Sequence, residues 1–177
     1  MASAPEFIGS SLKPPPLHRA LLGGSALLTV EGFVLDQGML AFLVAAGVLL
    51  IGVPRTFLLQ RFAPVRRARL RNSAIYLVAV ALAFIVIATN NRIARNRAEM
   101  LVTAIESWHR KHQRYPESLE EIVPDFIPNV PLAKYNFGFN QFVYSRNEGD
   151  ATLYYVAVPP FGRPFYDFAS REWKYLD

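Results

Sequence analysis

Two histidines, His109 and His112, come closest in type and spacing to a metal site. They lie three residues apart in a stretch with helical periodicity, so both imidazoles would project from one side of a helix. A protein zinc site needs three or four ligands, but the remaining histidine, His18, is remote in sequence and no carboxylate has suitable spacing. We therefore expect no metal, and we expect His112 to extend the apolar face of the helix.

A cluster of carboxylates follows the histidines and could suggest a cation site. A short helix is predicted over 117–123, because Pro116 can start a helix and Pro124 stops it. Acidic side chains in the first turn are stabilised by the helix dipole, so a solvated helix face explains the cluster without a bound cation. The cluster comprises Glu117, Glu120, Glu121 and Asp125.

The rest of the sequence offers no catalytic constellation. It contains no cysteine, no Gly-rich phosphate loop and no grouping of Ser, His and Asp that would predict a nucleophile with its base. The net charge of +5 comes from residues 1–71, which carry eight Lys or Arg and three acids, whereas residues 72–177 carry eleven of each. We expect neither an enzyme nor a nucleic-acid-binding protein, and we expect no cofactor or small-molecule substrate.

Two apolar segments, 39–57 and 72–91, are predicted transmembrane helices. The second has twenty uncharged residues, and a helix of that length spans about 30 Å, enough to cross a bilayer. An earlier segment, 20–35, is shorter and contains Glu31, so it predicts either a short span or a helix in the membrane interface. Glu31 is interpreted as an end residue that reaches the headgroups, and the alternative is a carboxylate in an ion path. A Pro-rich tail, 1–19, precedes these segments.

Six arginines concentrate between the two strong apolar segments, in a predicted loop over 55–71. Short loops rich in Arg are retained in the cytoplasm, so this loop is expected there and the C-terminal domain outside. A binding site for anionic lipid is an alternative role for the same residues. The arginines are Arg55, Arg61, Arg66, Arg67, Arg69 and Arg71.

Residues 92–177 predict a small α+β domain. The helix of the last apolar segment continues over 92–114 with an amphipathic pattern that includes Trp108. Strands are expected over 139–145 and 151–158, around a turn containing Gly149, and over 165–168 and 172–176. The apolar stripe of the helix consists of Ile93, Leu101, Ala104, Ile105, Trp108 and His112, and the following segment adds Leu119, Ile122, Val123, Phe126 and Ile127.

The order of these elements resembles a known pattern. The run Tyr115-Pro116-x-Ser118-Leu119-x-x-Ile122-Val123-Pro124-x-Phe126-Ile127-Pro128, after a membrane helix and before antiparallel strands, is similar to pseudopilins of type II secretion and to type IV pilin-like domains over about 73–177. The resemblance implies a helix packed on a small antiparallel sheet at the periplasmic face of a bacterial inner membrane. The prepilin peptidase site is missing, since no Gly precedes the helix and no Glu occurs from Gly32 to Ala98.

The functional prediction is a non-enzymatic, membrane-anchored, periplasmic protein-interaction module. It would be an accessory component of a secretion or envelope assembly, with the lipid bilayer and another envelope or secreted protein as partners. Two alternatives remain: a membrane immunity protein that neutralises a periplasm-acting toxin, and a structural subunit of the pseudopilin type. The candidate interface is the loop 159–164, with Phe161 and Arg163 as its anchors, because exposed aromatic and Arg side chains dominate many interfaces.

Overall fold

A computed structural model describes residues 14–59, 63–147, 149–160 and 162–176. The chain has an α+β fold and divides into two compact units. The helical unit consists of Met1–Gly32 and Gly38–Ile85, and the α+β unit consists of Phe33–Gln37 and Val86–Asp177. The division falls inside one long helix, so the first half of that helix belongs to one unit and the second half to the other.

The helical unit is built from helices interrupted by wide π-helical turns. One of these turns precedes Pro54, which has no N–H to donate and so breaks the regular hydrogen-bond ladder. The Thr56 hydroxyl donates to the Gly52 carbonyl, four residues earlier, at 2.7 Å. The helical elements are α1 (Leu17–Thr29) with a π-helical extension (Val30–Leu35), α2 (Met39–Gly47), a π-helical turn (Val48–Gly52), α3 (Val53–Leu59) and α4 (Ala63–His112).

Two of these helical segments, Met39–Leu59 and Ala63–His112, are long and apolar enough to cross a membrane. They agree with the apolar helices predicted over 39–57 and 72–91. Large apolar side chains remain exposed along them, including Leu50 at 76% and Leu58 at 80% of their full accessible area. The segment 20–35 is helical as expected.

Helix α1 lies against the first half of α4 through small residues. A Cβ atom on Gly24 would stand 3.3 Å from Ile75 Cγ2 and 3.5 Å from the Ala79 Cβ, so the absence of a side chain lets the two helices approach closely. Further along both helices, Leu27 joins Ala41 of α2, Val80 and Ala83 in a small core. Contacts therefore advance in the same direction along the sequences of α1 and α4.

The loop predicted over 55–71 is largely helical, which corrects the sequence analysis. Arg55 lies on α3, and four arginines lie on the first turns of α4, which begins at Ala63 rather than near residue 72. Ala, Arg and Leu are strong helix formers, and Pro64 is tolerated in a first helical turn, so polarity alone did not end the helix. The sixth arginine of this group, Arg61, lies outside the described residues. The four arginines on α4 are Arg66, Arg67, Arg69 and Arg71.

The α+β unit contains a four-stranded antiparallel sheet in which each strand pairs with the next along the chain. Strand β4 has the predicted range, whereas β1 and β2 are shorter than predicted and meet in a tighter turn, because Asn147 pairs with Asp150. Gly149 in that turn has a φ of +89°, which glycine adopts without strain. The elements are a 3₁₀ helix (Leu119–Ile122), β1 (Val143–Asn147), β2 (Asp150–Tyr154), β3 (Arg163–Asp167) and β4 (Glu172–Leu176).

The second half of α4 packs on the inner face of this sheet. Leu101, Ile105 and Trp108 are buried there as predicted. The predicted stripe is wrong at both ends: Ala94 and Ala98 are fully buried where Ile93 was expected, and His112 is exposed. Alanines on the buried face let the helix approach its neighbours closely, whereas the His112 ring stacks on the Trp108 ring from the solvent side. The core also takes in Leu119, Ile122, Ile127, Ala151, Leu153, Tyr166 and Phe168, with Val123 and Phe126 packed against it.

Candidate functional site

The two histidines stack on different aromatic rings. His109 lies on Tyr115 with ring centroids 4.2 Å apart, and His112 lies on Trp108 at 3.9 Å. The His112 Nδ1 atom is also 3.1 Å from the Trp108 carbonyl oxygen. Within the described ranges, no three His, Cys, Asp or Glu side chains converge as a metal site would require. Both imidazole rings therefore contribute to packing by stacking on neighbouring aromatic rings.

The carboxylate cluster lies on the surface and engages nearby cations. Glu121 accepts the Glu117 N–H at 2.9 Å and pairs with Arg114 at 3.2 Å. The backbone hydrogen bond, and then Arg114, lower the pKa of the Glu121 carboxyl. Glu117 in turn lies 3.5 Å from Arg146. These contacts fit the solvated face that the sequence predicted.

Glu31 is fully buried in the helical unit, which corrects its interpretation as an end residue reaching the headgroups. Its Oε1 atom accepts the N–H of Gly38 at the start of α2. Gly38 itself has a φ of +78°, so the chain turns sharply there and presents its N–H to the carboxylate. Among the described residues, the Oε2 atom has no hydrogen-bond partner. Glu31 thus caps the turn that follows its own helix.

A buried ion pair, Asp36–Lys134, lies inside the α+β unit and was not predicted. Lys134 Nζ lies 2.6 Å from Asp36 Oδ2, and both side chains have no accessible surface. The ammonium also donates to the Ala157 carbonyl at 2.7 Å. Asn136 donates to the same Asp36 oxygen at 2.9 Å, and the Phe137 N–H donates to the Phe33 carbonyl at 2.9 Å. Segment 33–37 is therefore fastened to the domain by charge and by backbone hydrogen bonds.

Burial lowers the pKa of Lys134, and the hydrogen bond that its ammonium donates to Asp36 opposes that change. Two charges removed from water stabilise a fold only when each is well partnered, because their desolvation is costly. Lys134 has two oxygen acceptors here, whereas Asp36 Oδ1 has no hydrogen-bond partner within the described part of the chain. With no surface open to solvent, the pair can position segment 33–37 but cannot meet a diffusing substrate.

The loop that carries Lys134 presents its aromatic side chains outward. Lys134 and Asn136 point into the unit, while Tyr135, Phe137 and Phe139 alternate with them and are 54%, 83% and 39% exposed. We call residues 134–139 the aromatic loop. The alternating pattern Lys-Tyr-Asn-Phe-Gly-Phe was visible in the sequence, but apolar side chains are normally the inward set.

Arg97 and Asn90, both on α4, hold the aromatic loop in place. The Arg97 guanidinium lies 4.6 Å from the centre of the Tyr135 ring and donates to the Leu132 carbonyl at 2.7 Å. Asn90 Nδ2 is 3.5 Å from the Tyr135 carbonyl oxygen. Asn90 is also the last residue but one of the uncharged run 72–91, so the exposed rings lie where that run gives way to charged residues.

The outer sheet face is the second exposed surface of the α+β unit. Cross-strand pairing places Val143 opposite Tyr154, Tyr154 opposite Phe165, and Phe165 opposite Lys174. Arg163 stands opposite Leu176 at the end of the same face and is exposed, as predicted, with its guanidinium on the Pro160 carbonyl at 3.2 Å. Phe161, its predicted companion, lies outside the described residues. We define the outer sheet face by Val143, Tyr154, Arg163, Phe165, Lys174 and Leu176.

None of these six side chains is buried, although four of them are apolar or aromatic. Their mixture of rings, aliphatic groups and cations is the composition that protein interfaces favour. The sequence pointed to Arg163 alone, because the pairing register that gathers the other five could not be derived from it. Comparisons with protein-family models, with curated proteins and with solved structures find no match to this chain.

Proposed function

We propose that the chain is anchored in the inner membrane of a bacterial cell and carries its α+β unit on the periplasmic side. In this proposal the unit is a non-enzymatic protein-interaction module, an accessory part of a secretion or envelope assembly. The observation that carries it is the contrast along α4. Val78 and Ile85 in its first half are 58% and 59% exposed, whereas Leu101 and Ile105 in its second half have no exposed surface. Lipid accounts for the first half and the domain core for the second.

The buried ion pair supports a consistent topology. Asp36 and Lys134 touch within one unit, so residues 33–37 and the C-terminal domain must share one side of a membrane. Met39–Leu59 then crosses away from that side and α4 returns to it. The arginines on the early turns of α4 would lie at the opposite end, in the cytoplasm, as the positive-inside rule requires.

Helix α1 is a third span in this proposal. Its contacts advance along α4 in the same direction, from Gly24 beside Ala79 to Leu27 beside Val80 and Ala83. A helix lying flat in the interface would cross α4 at one level instead of following it. Glu31, the one acid on this path, has its carboxylate engaged at the Gly38 turn near the outer end.

The outer sheet face is the proposed docking surface for a second envelope or secreted protein. Its half-exposed rings and the adjacent Arg163 offer an apolar centre with a cation at its side, the kind of surface on which binding energy concentrates. The aromatic loop serves a different purpose, since exposed aromatic residues at the end of a membrane span are typical of the membrane interface.

Membrane topology is tested most directly by single-cysteine labelling, because the chain has no cysteine of its own. Ser145→Cys on β1 and Arg66→Cys on α4 would each be treated with a membrane-impermeant maleimide in spheroplasts. We expect labelling of the first variant in intact spheroplasts and of the second only after lysis. The opposite order would reverse the orientation, and labelling of both in a fraction released without detergent would refute membrane insertion.

The docking surface is tested by site-specific photo-crosslinking in cells. A crosslinking amino acid at Val143 or Leu176 should give one adduct with another envelope protein, and the same group at exposed Glu120 should not. Adding Arg163→Glu and Phe165→Ser should abolish that adduct while protein abundance is unchanged. Equal adducts at Glu120, or an adduct that survives these changes, would refute the outer sheet face as the docking surface.

A further inference from the structure

A large cavity lies within the helical unit, at the end where the arginines collect. Its volume is about 840 Å³, within the range of small-molecule and cofactor sites. Three helical segments contribute to its wall. Arg19 comes from α1, Arg55 from α3 and Arg69 from α4, so positions far apart in sequence contribute three arginines to the wall of one cavity.

These three arginines have no carboxylate partner in the described parts of the chain, where the salt bridges involve other residues. The sequence contains no acid at all between Gln37 and Ala98. A concentration of unneutralised guanidinium groups is favourable only beside an anion, and Arg binds phosphate in a bidentate manner. The wall adds neutral donors and acceptors from Thr56, Asn72, Ser73 and Tyr76.

The remainder of the wall is apolar and is shaped by the π-helical turn. Val48 and Ile51 line it, and so do Gly47 and Gly52 at the two ends of the turn. A Cβ atom on Gly47 would meet nothing within 4 Å, so the space beside it is open. Wide turns of this kind occur often at functional sites. One cavity therefore combines a cationic end with an apolar side, which suits an amphiphile.

We propose that this cavity binds the phosphate headgroup of an anionic glycerophospholipid, with the guanidinium groups of Arg19, Arg55 and Arg69 around the phosphate and the first part of an acyl chain along Val48 and Ile51. The site rests on the proposed membrane insertion. The positive-inside rule depends only on the number of arginines on the cytoplasmic side, so it does not explain why three of them line one cavity. Arg66, Arg67 and Arg71 satisfy the same charge rule without lining the cavity.

That distinction supplies a matched control. The full chain, purified in a mild detergent, would be mixed with phosphatidylglycerol or with phosphatidylcholine of the same acyl chains, and bound lipid would be counted by native mass spectrometry. The variant with Arg19, Arg55 and Arg69 all changed to Gln should lose phosphatidylglycerol affinity by more than about tenfold, as expected when several charge-assisted hydrogen bonds disappear. The variant with Arg66, Arg67 and Arg71 changed to Gln loses the same charge and should change less than about twofold.

Two further arms separate the possible sources of the phosphate. Gly47→Leu should reduce phosphatidylglycerol binding by filling the apolar side while every arginine remains. Millimolar inorganic phosphate or glycerol phosphate should not displace the lipid. Displacement by either anion, with no effect of Gly47→Leu, would reassign the cavity to a soluble phosphate and overturn the lipid proposal.

Equal losses in the two triple variants would also overturn it, since that result would mean diffuse attraction. A failure of membrane insertion is recognised separately, because the unmodified chain would then stay in solution without detergent.

Discussion

The two halves of α4 place their large apolar side chains in opposite surroundings. In the first half, exposed positions carry large side chains such as Val78, Leu82 and Ile85, and the buried positions carry mostly alanine or valine. In the second half, Leu101 and Ile105 are buried, and the exposed positions are mostly polar, with Met100 as an exception. The packed side of α4 thus carries small residues in the first half, where the proposed surroundings are lipid. It carries large apolar residues in the second half, where the surroundings are water.

The difference shows that the apolar content of a helix and the side on which its large apolar residues lie carry separate information. An apolar residue facing lipid gains nothing from leaving it, so close packing between small residues decides which side faces a neighbouring helix. A residue facing water gains by burial, and the largest apolar side chains therefore turn to the core. The change occurs after Asn90, where a buried amide and then Arg92 and Arg95 begin a polar face.

The largest expected effect compares truncations in the two halves. Trp108→Ala should lower the free energy of unfolding by ~3–5 kcal/mol, because it empties a volume inside the core. Leu82→Ala, in the first half and 44% exposed, should change it by less than ~1 kcal/mol. Denaturant titration of the full chain in detergent measures both. Similar losses at the two positions would contradict the contrast between the halves.

The buried ion pair extends the comparison to segment 33–37, which belongs to the α+β unit although its neighbours in sequence belong to the helical one. Lys134→Met should destabilise the unit by ~3–5 kcal/mol, since it leaves the Asp36 carboxylate buried without its cation. Combining it with Asp36→Asn should recover much of the loss, and unfolding monitored by Trp fluorescence reports both.

Lys174→Met is the matched control, because it removes a lysine from the exposed pair with Asp167. It should leave the unfolding transition nearly where it is, since surface ion pairs contribute little. A double variant no more stable than Lys134→Met alone would contradict this explanation, because the uncompensated Asp36 charge would then not be the cause of the loss.

A third prediction places the same charge in each half at matched exposure. Leu82 and Met100 are 44% and 43% exposed on the same helix. Leu82→Arg should cost ~2.5–3.5 kcal/mol of insertion free energy, as for an Arg near the centre of a membrane helix. Met100→Arg faces water and should be nearly neutral. Insertion efficiency, read from the fraction of chains with a translocated C-terminus, distinguishes them, and equal efficiencies would argue against lipid around Leu82.

The smallest effect concerns pH and the surface of the α+β unit. Lys174, then the Ser170 hydroxyl, and also the Ala169 N–H hold the pKa of Asp167 at about 2, below its usual 3.8. Because this pKa is depressed in the folded state, the stabilisation is complete above 3.8 and disappears as pH falls through about 2. Asp167→Asn should therefore lose stability at pH 5 and match the unmodified protein near pH 2, as Tm measurements would show. A constant difference across that range would contradict the linkage.

Much of the architecture followed from periodicity. The apolar segments, the passage of the last one into an amphipathic helix, the burial of Trp108 and the range of β4 are confirmed, because each depends on local pattern. The helical character of the arginine region was missed, since charge was taken as a sign of a loop although Arg is a good helix former. The membrane side of each segment, the resemblance to pseudopilins and the functional role stay predictions.

The ion pair and the cavity could not be predicted, for a different reason. Asp36 and Lys134 are 98 residues apart, and Arg19, Arg55 and Arg69 come from three separate helices. Nothing in a single sequence states which distant residues meet. Arg163 could be singled out because it stands in a local run of prolines and glycine, whereas the outer sheet face around it depends on strand register.

The separation between Asp36 and Lys134 also has a consequence for biosynthesis. At roughly 5–20 residues per second, the ribosome needs about 5–20 s to add the 98 residues between the acid and its lysine. Throughout that interval the Asp36 carboxylate of segment 33–37 exists without the lysine that neutralises it. Segment 33–37 therefore cannot form its buried ion pair until Lys134 has been synthesised. Segment 33–37 near the N-terminus should therefore be among the last parts of the protein to reach its final structure, because it depends on Lys134 from the C-terminal domain.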